Sequence, residues 1–229
     1  MERRHEVTRL EGFSDAVFGF ALTLLVVSLE VPDSTEALRA MMFGFLPFAL
    51  MFAMICWIWY EHQQFFRRYG LQDAGTVTIN SFLLFVVLFY VYPLKFLTTR
   101  LVKPLFEGGS VGIPDGDLVM LLYSSGVVMI FGAFIALHYQ AWRNRLALAL
   151  NAEELIQLKS SMLGHAMSAA LGLASIGIVL VARATGHLQL TIAAGMIYFL
   201  MGPLHGWNGY ATGRAVAALR KQTSTYEKR

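Results

Sequence analysis

Six long apolar runs dominate the chain and limit what it can fold into. They cover about residues 10–31, 38–60, 74–98, 117–141, 162–182 and 188–210. Each supplies the roughly 20 apolar residues that a helix needs to cross a hydrocarbon core. Charged residues make up 14% of the chain and hydrophobic residues 56%, whereas a soluble domain carries about 25% charge. Mean hydropathy is +0.55. The expected fold class is therefore all-α, an integral membrane protein with six transmembrane helices in one domain, 1–229. The runs leave no length for a separate soluble domain. Strands of a transmembrane barrel would alternate apolar and polar residues, and these runs do not. The first run is too long, and Asp15 too early in it, for a cleaved signal peptide.

The net charge of +3 points to orientation rather than to a nucleic-acid partner. Arg3, Arg4 and Arg9 precede the first run, Arg67 and Arg68 follow the second, and Arg143, Arg145 and Lys159 lie between the fourth and fifth. Arg214, Arg220, Lys221, Lys228 and Arg229 close the chain. The opposite side holds only Arg39, Arg100, Lys103 and Arg183, among the acids Asp33, Glu36, Glu107, Asp115 and Asp117. By the positive-inside rule both termini face the cytoplasm. Cys56 is the single cysteine, so no intrachain disulfide forms. The stretch Trp142–Lys159 mixes charge with leucines at helical spacing and reads as an extension of span four followed by an interfacial helix. The tail after Arg214 reads as a frayed helix.

Enzyme signatures are missing. The chain has no Walker loop, HExxH, CxxC or GxSxG motif. His62, His138, His165, His187 and His205 lack metal-ligand spacing. Neither cofactor nor resident metal is expected, and the chain is not read as an enzyme. The TVGYG filter of conventional potassium channels is absent too.

The first run, "RLEGFSDAVFGFALTLLVVSLEVP", carries an aspartate inside its opening turns. A charge at the centre of a span costs roughly 2.5–3.5 kcal/mol on insertion scales. At 100° per residue, Phe13, Ala16, Phe20, Leu24, Val27 and Val31 fall within about 40° of one line, with Thr23 flanking at about 60°. Ser14 and Asp15 point away, about 120° and 140° off on opposite sides. The stripe is either a pore wall with a hydrophobic constriction or an ordinary packing face. Asp15 is either an ion or proton site or a structural anchor inside its own subunit. Its orientation away from the stripe favours the anchor, with Arg9, His62 and Asn80 as expected partners.

Arg9-Leu-Glu-Gly-Phe13-Ser14-Asp15 fits the Arg-x-x-x-Phe-Ser-Asp signature of the endosomal/lysosomal potassium channel family. The chain resembles its prokaryotic branch. "AVFGFALTLLV" continues the pattern, and Trp59, His62, Asn80 and Pro93 resemble family positions on spans two and three. The resemblance covers roughly the first 95 residues. It implies a potassium-preferring cation channel in the bacterial inner membrane, a homotetramer whose first helices line a central pore crossed transiently by potassium ions. It places the constriction on Phe20, with Thr23, Leu24 and Val27 in the following turns. It assigns Arg9, Phe13, Ser14 and Asp15, with His62 and Asn80, to an internal hydrogen-bond network. The family usually has isoleucine or leucine where this chain has Phe20. Four such rings would either seal the axis or meet a cation with their faces. Thr23 either contributes to a potassium ion's coordination or bonds back to Gly19. Glu30, Asp33 and Glu36 either concentrate cations at the outer mouth or are merely solvated. The alternative is a secondary transporter or proton-coupled permease using Asp15 and His62; it would call for broken spans in paired halves.

Overall fold

The structure, a computed structural model, describes residues 7–27, 33–43, 45–107, 115–187 and 189–226. Its elements are α1 (Arg9–Val27), α2 (Thr35–Phe43), α3 (Phe45–Tyr69), α4 (Ala74–Glu107), α5 (Gly116–Arg143), α6 (Ala152–Thr185), α7 (Leu190–Met196), a 3-10 turn (Ile197–Leu200) and α8 (Met201–Tyr226). Among the described residues six helical stretches are long and apolar enough to cross a membrane: Arg9–Val27, Phe45–Tyr69, Ala74–Arg100, Gly116–Arg143, Ala152–Thr185 and Leu190–Gln222. The all-helical, six-span expectation holds. The end of the first run at residue 31, together with Glu30, lies outside the described residues.

The second run, 38–60, falls in α2 and α3, and residue 44 between them lies outside the described residues. Pro47 sits in the first turn of α3, where a missing N–H costs nothing. The boundaries differ from the apolar runs at two places, each with a physical cause. The last run starts as α7, tightens into the 3-10 turn and resumes as α8. Pro203 lacks the N–H that would bond residue 199, and the tighter turn absorbs that loss. The expected interfacial helix is instead the start of α6, which runs unbroken for 34 residues, about 51 Å. Asn151 and Glu154 form a reciprocal capping box at its start, and Gly186, at φ 72°, ends it in the left-handed region. The tail is not frayed as far as Tyr226: α8 continues to that residue, and Arg220 makes a two-pronged ion pair with Glu153, its closer contact at 2.6 Å.

The chain forms two compact units, Met1–Gly126 and Val127–Arg229, with the boundary inside α5. In the first, α1, α3 and α4 pack against one another and α2 lies against α3. Tyr90 of α4 bonds the Leu122 carbonyl at 2.7 Å and Ser125 Oγ at 2.8 Å. Its ring fills the space beside Gly126 that a Cβ would need. In the second unit α6 is the spine, packed against α7, the 3-10 turn and α8. Polar side chains pin that seam: Asn208 and Thr212 bond Ser160, Ser168 bonds His205, and Ser175 donates to the Ala194 carbonyl.

Candidate functional site

α1 shows two faces. Ser14, Phe18, Ala21 and Leu25 recur at steps of four, three and four residues and are buried, because that face meets α3 and α4. The other face is bare. Phe20 is 56% exposed and Val27 73%; Phe13, Ala16 and Thr23 are exposed and Leu24 is half-buried. Here one side is filled by its own subunit, and the phenylalanine–threonine–valine stripe is left for something outside it. Thr23 Oγ1 donates to the Gly19 carbonyl at 2.9 Å.

Behind the stripe, α1 is tied down by a chain of hydrogen bonds. His62 Nε2 donates to Asn80 Oδ1 at 2.7 Å, and Asn80 Nδ2 donates to Ser14 Oγ at 2.9 Å. Ser14 then gives its own proton to the Leu10 carbonyl at 2.8 Å. His62, Asn80 and Ser14 are all buried, so each bond replaces water that could not reach the site. The His62 ring lies between Phe18 and Phe66, with centroids at 5.4 and 4.6 Å. Three helices are thereby locked in register by side chains that have few other places to bond.

Asp15 lies beside this chain, at the edge of the buried face. It is exposed within the subunit, and its Oδ1 accepts a 2.8 Å hydrogen bond from Trp59 Nε1. The expected network thus divides. The structure brings Ser14, His62 and Asn80 together and joins Asp15 to α3 through Trp59. Arg9 and Phe13 are exposed, and among the described residues neither bonds to Asp15. A further contact had a plain sequence signal, Thr-x-x-Glu before an apolar run. Thr8 and Glu11 cap the start of α1 reciprocally, at 2.7 and 3.2 Å. Among the described residues, no group of three or more histidine, cysteine or acidic side chains could hold a metal ion.

Residues 9–90 match the family model described as endosomal/lysosomal potassium channel TMEM175. A Marivirga tractuosa protein named Potassium channel is 40% identical over 215 residues, covering 88% of this chain and 86% of its own. A potassium channel of Chamaesiphon minutus is 32% identical over 107 residues, 43% of this chain and 53% of its own. Among solved structures, a variant of the potassium channel MtTMEM175, crystallised with a nanobody–MBP fusion, aligns with a TM-score of 0.81 at 37% identity. That alignment covers 93% of this chain and 97% of the other. A lysosomal potassium-selective channel TMEM175 homolog from Chamaesiphon minutus shares the fold, with a TM-score of 0.54 at 21% identity over 84% of this chain and 96% of the other.

Proposed function

Because the chain belongs to the endosomal/lysosomal potassium channel TMEM175 family, we propose that it is a homotetrameric, potassium-preferring channel whose pore runs along the exposed stripe of α1. It is a potassium channel of that family, not an enzyme. The observation that carries the rest is that bare stripe. One helix per subunit cannot enclose a passage, so copies related by closed cyclic symmetry must supply the wall. The two compact units then serve as one six-span channel domain, in the bacterial inner membrane with both termini cytoplasmic.

In this reading Phe20 forms the constriction, and Thr23, Leu24 and Val27 line the turns beyond it. Four phenylalanine rings at one level exclude bulk water and hold the axis closed by dewetting. Their faces attract a desolvated cation by about 0.5–2 kcal/mol each, which lowers the cost of passage for an ion that has shed water. Thr23 commits its only proton to Gly19. What remains to face the axis is an oxygen lone pair, an acceptor suited to a potassium ion and useless to an anion. The Ser14–Asn80–His62 chain and the Asp15–Trp59 bond hold α1 at a fixed rotation, so the stripe keeps its aim. Arg9 and Phe13 of the motif remain outside that hydrogen-bond chain, at the exposed end of α1. The permease alternative built on Asp15 and His62 has no such support: His62 Nε2 is spent on Asn80.

Potassium and sodium flux in liposomes tests this, for the wild type, Phe20→Ala and Thr23→Val. Phe20→Ala raises both fluxes and blunts selectivity, and Thr23→Val lowers potassium preference while conduction persists. Unchanged fluxes in Phe20→Ala, with the tetramer intact by native mass spectrometry, would remove the stripe as the pore.

A further inference from the structure

We propose that the second compact unit carries a binding site for the phosphate of an anionic phospholipid, built by Arg145 and Lys159 around Trp142. The site is separate from the α1 stripe and makes no use of conduction. Arg145 Cζ lies 4.6 Å from the Trp142 ring centroid, and Lys159 Nζ lies 5.3 Å from it. Two cations held against one indole repel each other, and among the described residues neither has a carboxylate partner. The nearby acids are engaged elsewhere. Glu153 pairs with Arg220, and Glu154 accepts the Asn151 N–H in the capping box. The positive charge is therefore uncompensated, and an anion placed between the two cations removes their repulsion.

The level of the site identifies the anion. Trp142 follows directly on the apolar run that ends near 141, and Lys159 stands just ahead of the run that begins near 162. Both therefore lie at the edge of the hydrocarbon, where indole rings and snorkelling lysines collect. Asn208 and Thr212 bond Ser160 at 2.9 and 2.6 Å, which fixes α8 at the same height. There Tyr210 is exposed and carries the Arg214 guanidinium 5.9 Å from its ring centroid. The half-buried Trp142, the exposed Tyr210 and cations that, among the described residues, have no carboxylate partner form a layer at that depth, which matches the phosphate plane of a leaflet. A phosphodiester can accept from the guanidinium and the ammonium together, while its acyl chains run down the apolar flank of the helices.

The test is lipid retention. The full chain is reconstituted in vesicles of equal phosphatidylglycerol and phosphatidylcholine and re-extracted in mild detergent, and the co-purifying lipids are counted by mass spectrometry. Wild type enriches phosphatidylglycerol, and the enrichment declines at high salt. The pair Arg145→Gln with Lys159→Gln loses the preference by about 25-fold, at about 5-fold per cation. The exchange Arg145→Lys with Lys159→Arg keeps it, as does the charge-matched control Arg39→Gln with Arg183→Gln. If the glutamine pair does not fold, the salt series on the wild type and the exchange variant still decide the matter. Equal retention of the two lipids by the wild type overturns the proposal, as does an equal loss in the control. Displacement of the lipid by inorganic phosphate, beyond what chloride of the same ionic strength achieves, would make this a free-phosphate site and overturn the lipid assignment.

Discussion

Asn80→Ala should damage this protein more than any other single loss in its hydrogen-bond chain. Asn80 is fully buried and, among the described residues, is the only hydrogen-bonded link between His62 and Ser14. Its removal does three things. It breaks two interhelical bonds, which membrane-protein double-mutant cycles value at about 0.6 kcal/mol each on average. It strands the His62 ring N–H between Phe18 and Phe66, where an unsatisfied donor costs about 1–3 kcal/mol. It also leaves a small cavity, although polar side chains nearby can partly close it. The sum is about 2–4 kcal/mol. Ser14→Ala should cost less, about 1 kcal/mol, because Asn80 keeps its bond to His62. The assay is equilibrium unfolding in mixed micelles, followed by circular dichroism, for both single variants and the double. The coupling energy between Ser14 and Asn80 should be about 0.6–1.5 kcal/mol. A coupling indistinguishable from zero, with both singles as stable as wild type, would show that this chain does not hold α1 in place.

Gly126→Ala should destabilise the first unit by about 1–3 kcal/mol, read as a lower unfolding midpoint, because the Tyr90 ring occupies the site of the new methyl and is held there by Leu122 and Ser125. His165 is 3% exposed, and among the described residues neither ring nitrogen has a hydrogen-bond partner. Phe131 and Phe134 lie at 5.9 and 4.9 Å from it, so His165→Phe should raise stability by about 1 kcal/mol in the same assay. Asp73 lies between the membrane spans, and hydrogen bonds from the Thr76 side chain and backbone hold its carboxyl below the usual carboxylate range. A pKa lowered by folding stabilises above the unfolded value, about 3.9, and that contribution fades as pH falls through the folded value. The gap in stability between wild type and Asp73→Ala should therefore be constant near neutrality and shrink below about pH 4.

How far the fold could be read from the chain depends on which physics set each feature. Span number follows from run length alone, since no other structure satisfies so long an apolar backbone in lipid. The Pro203 interruption was legible in principle, as a local steric effect, but hydropathy averages over it. The unbroken length of α6 was less visible, because its first turns are charged and its helicity is supported by the Asn151 cap. In α1 the helical wheel separated the bare stripe from the back of the helix. It could not say which of Ser14 and Asp15 would be buried. Both sit well off the stripe, and the choice is made by where α3 and α4 come to rest. Asp15 consequently meets Trp59, while Ser14 takes the enclosed place beside Asn80. His165 shows the limit of local reading, since nothing in its neighbourhood along the chain announces an imidazole enclosed by phenylalanines.

The central claim is that α1 faces the ion path with one side only, and cysteine block tests it most directly. Val26 is 49% exposed within the subunit, nearly as bare as Phe20 at 56%, yet it lies about 120° around the helix from Phe20. Exposure alone therefore cannot distinguish the two positions, whereas a pore can. In a Cys56→Ser background, Phe20→Cys and Val26→Cys are reconstituted in liposomes, and potassium flux is measured before and after a small cationic thiol reagent. The account predicts strong block at position 20 and none at position 26. Equal sensitivity at the two positions, or block at Val26→Cys alone, would contradict it.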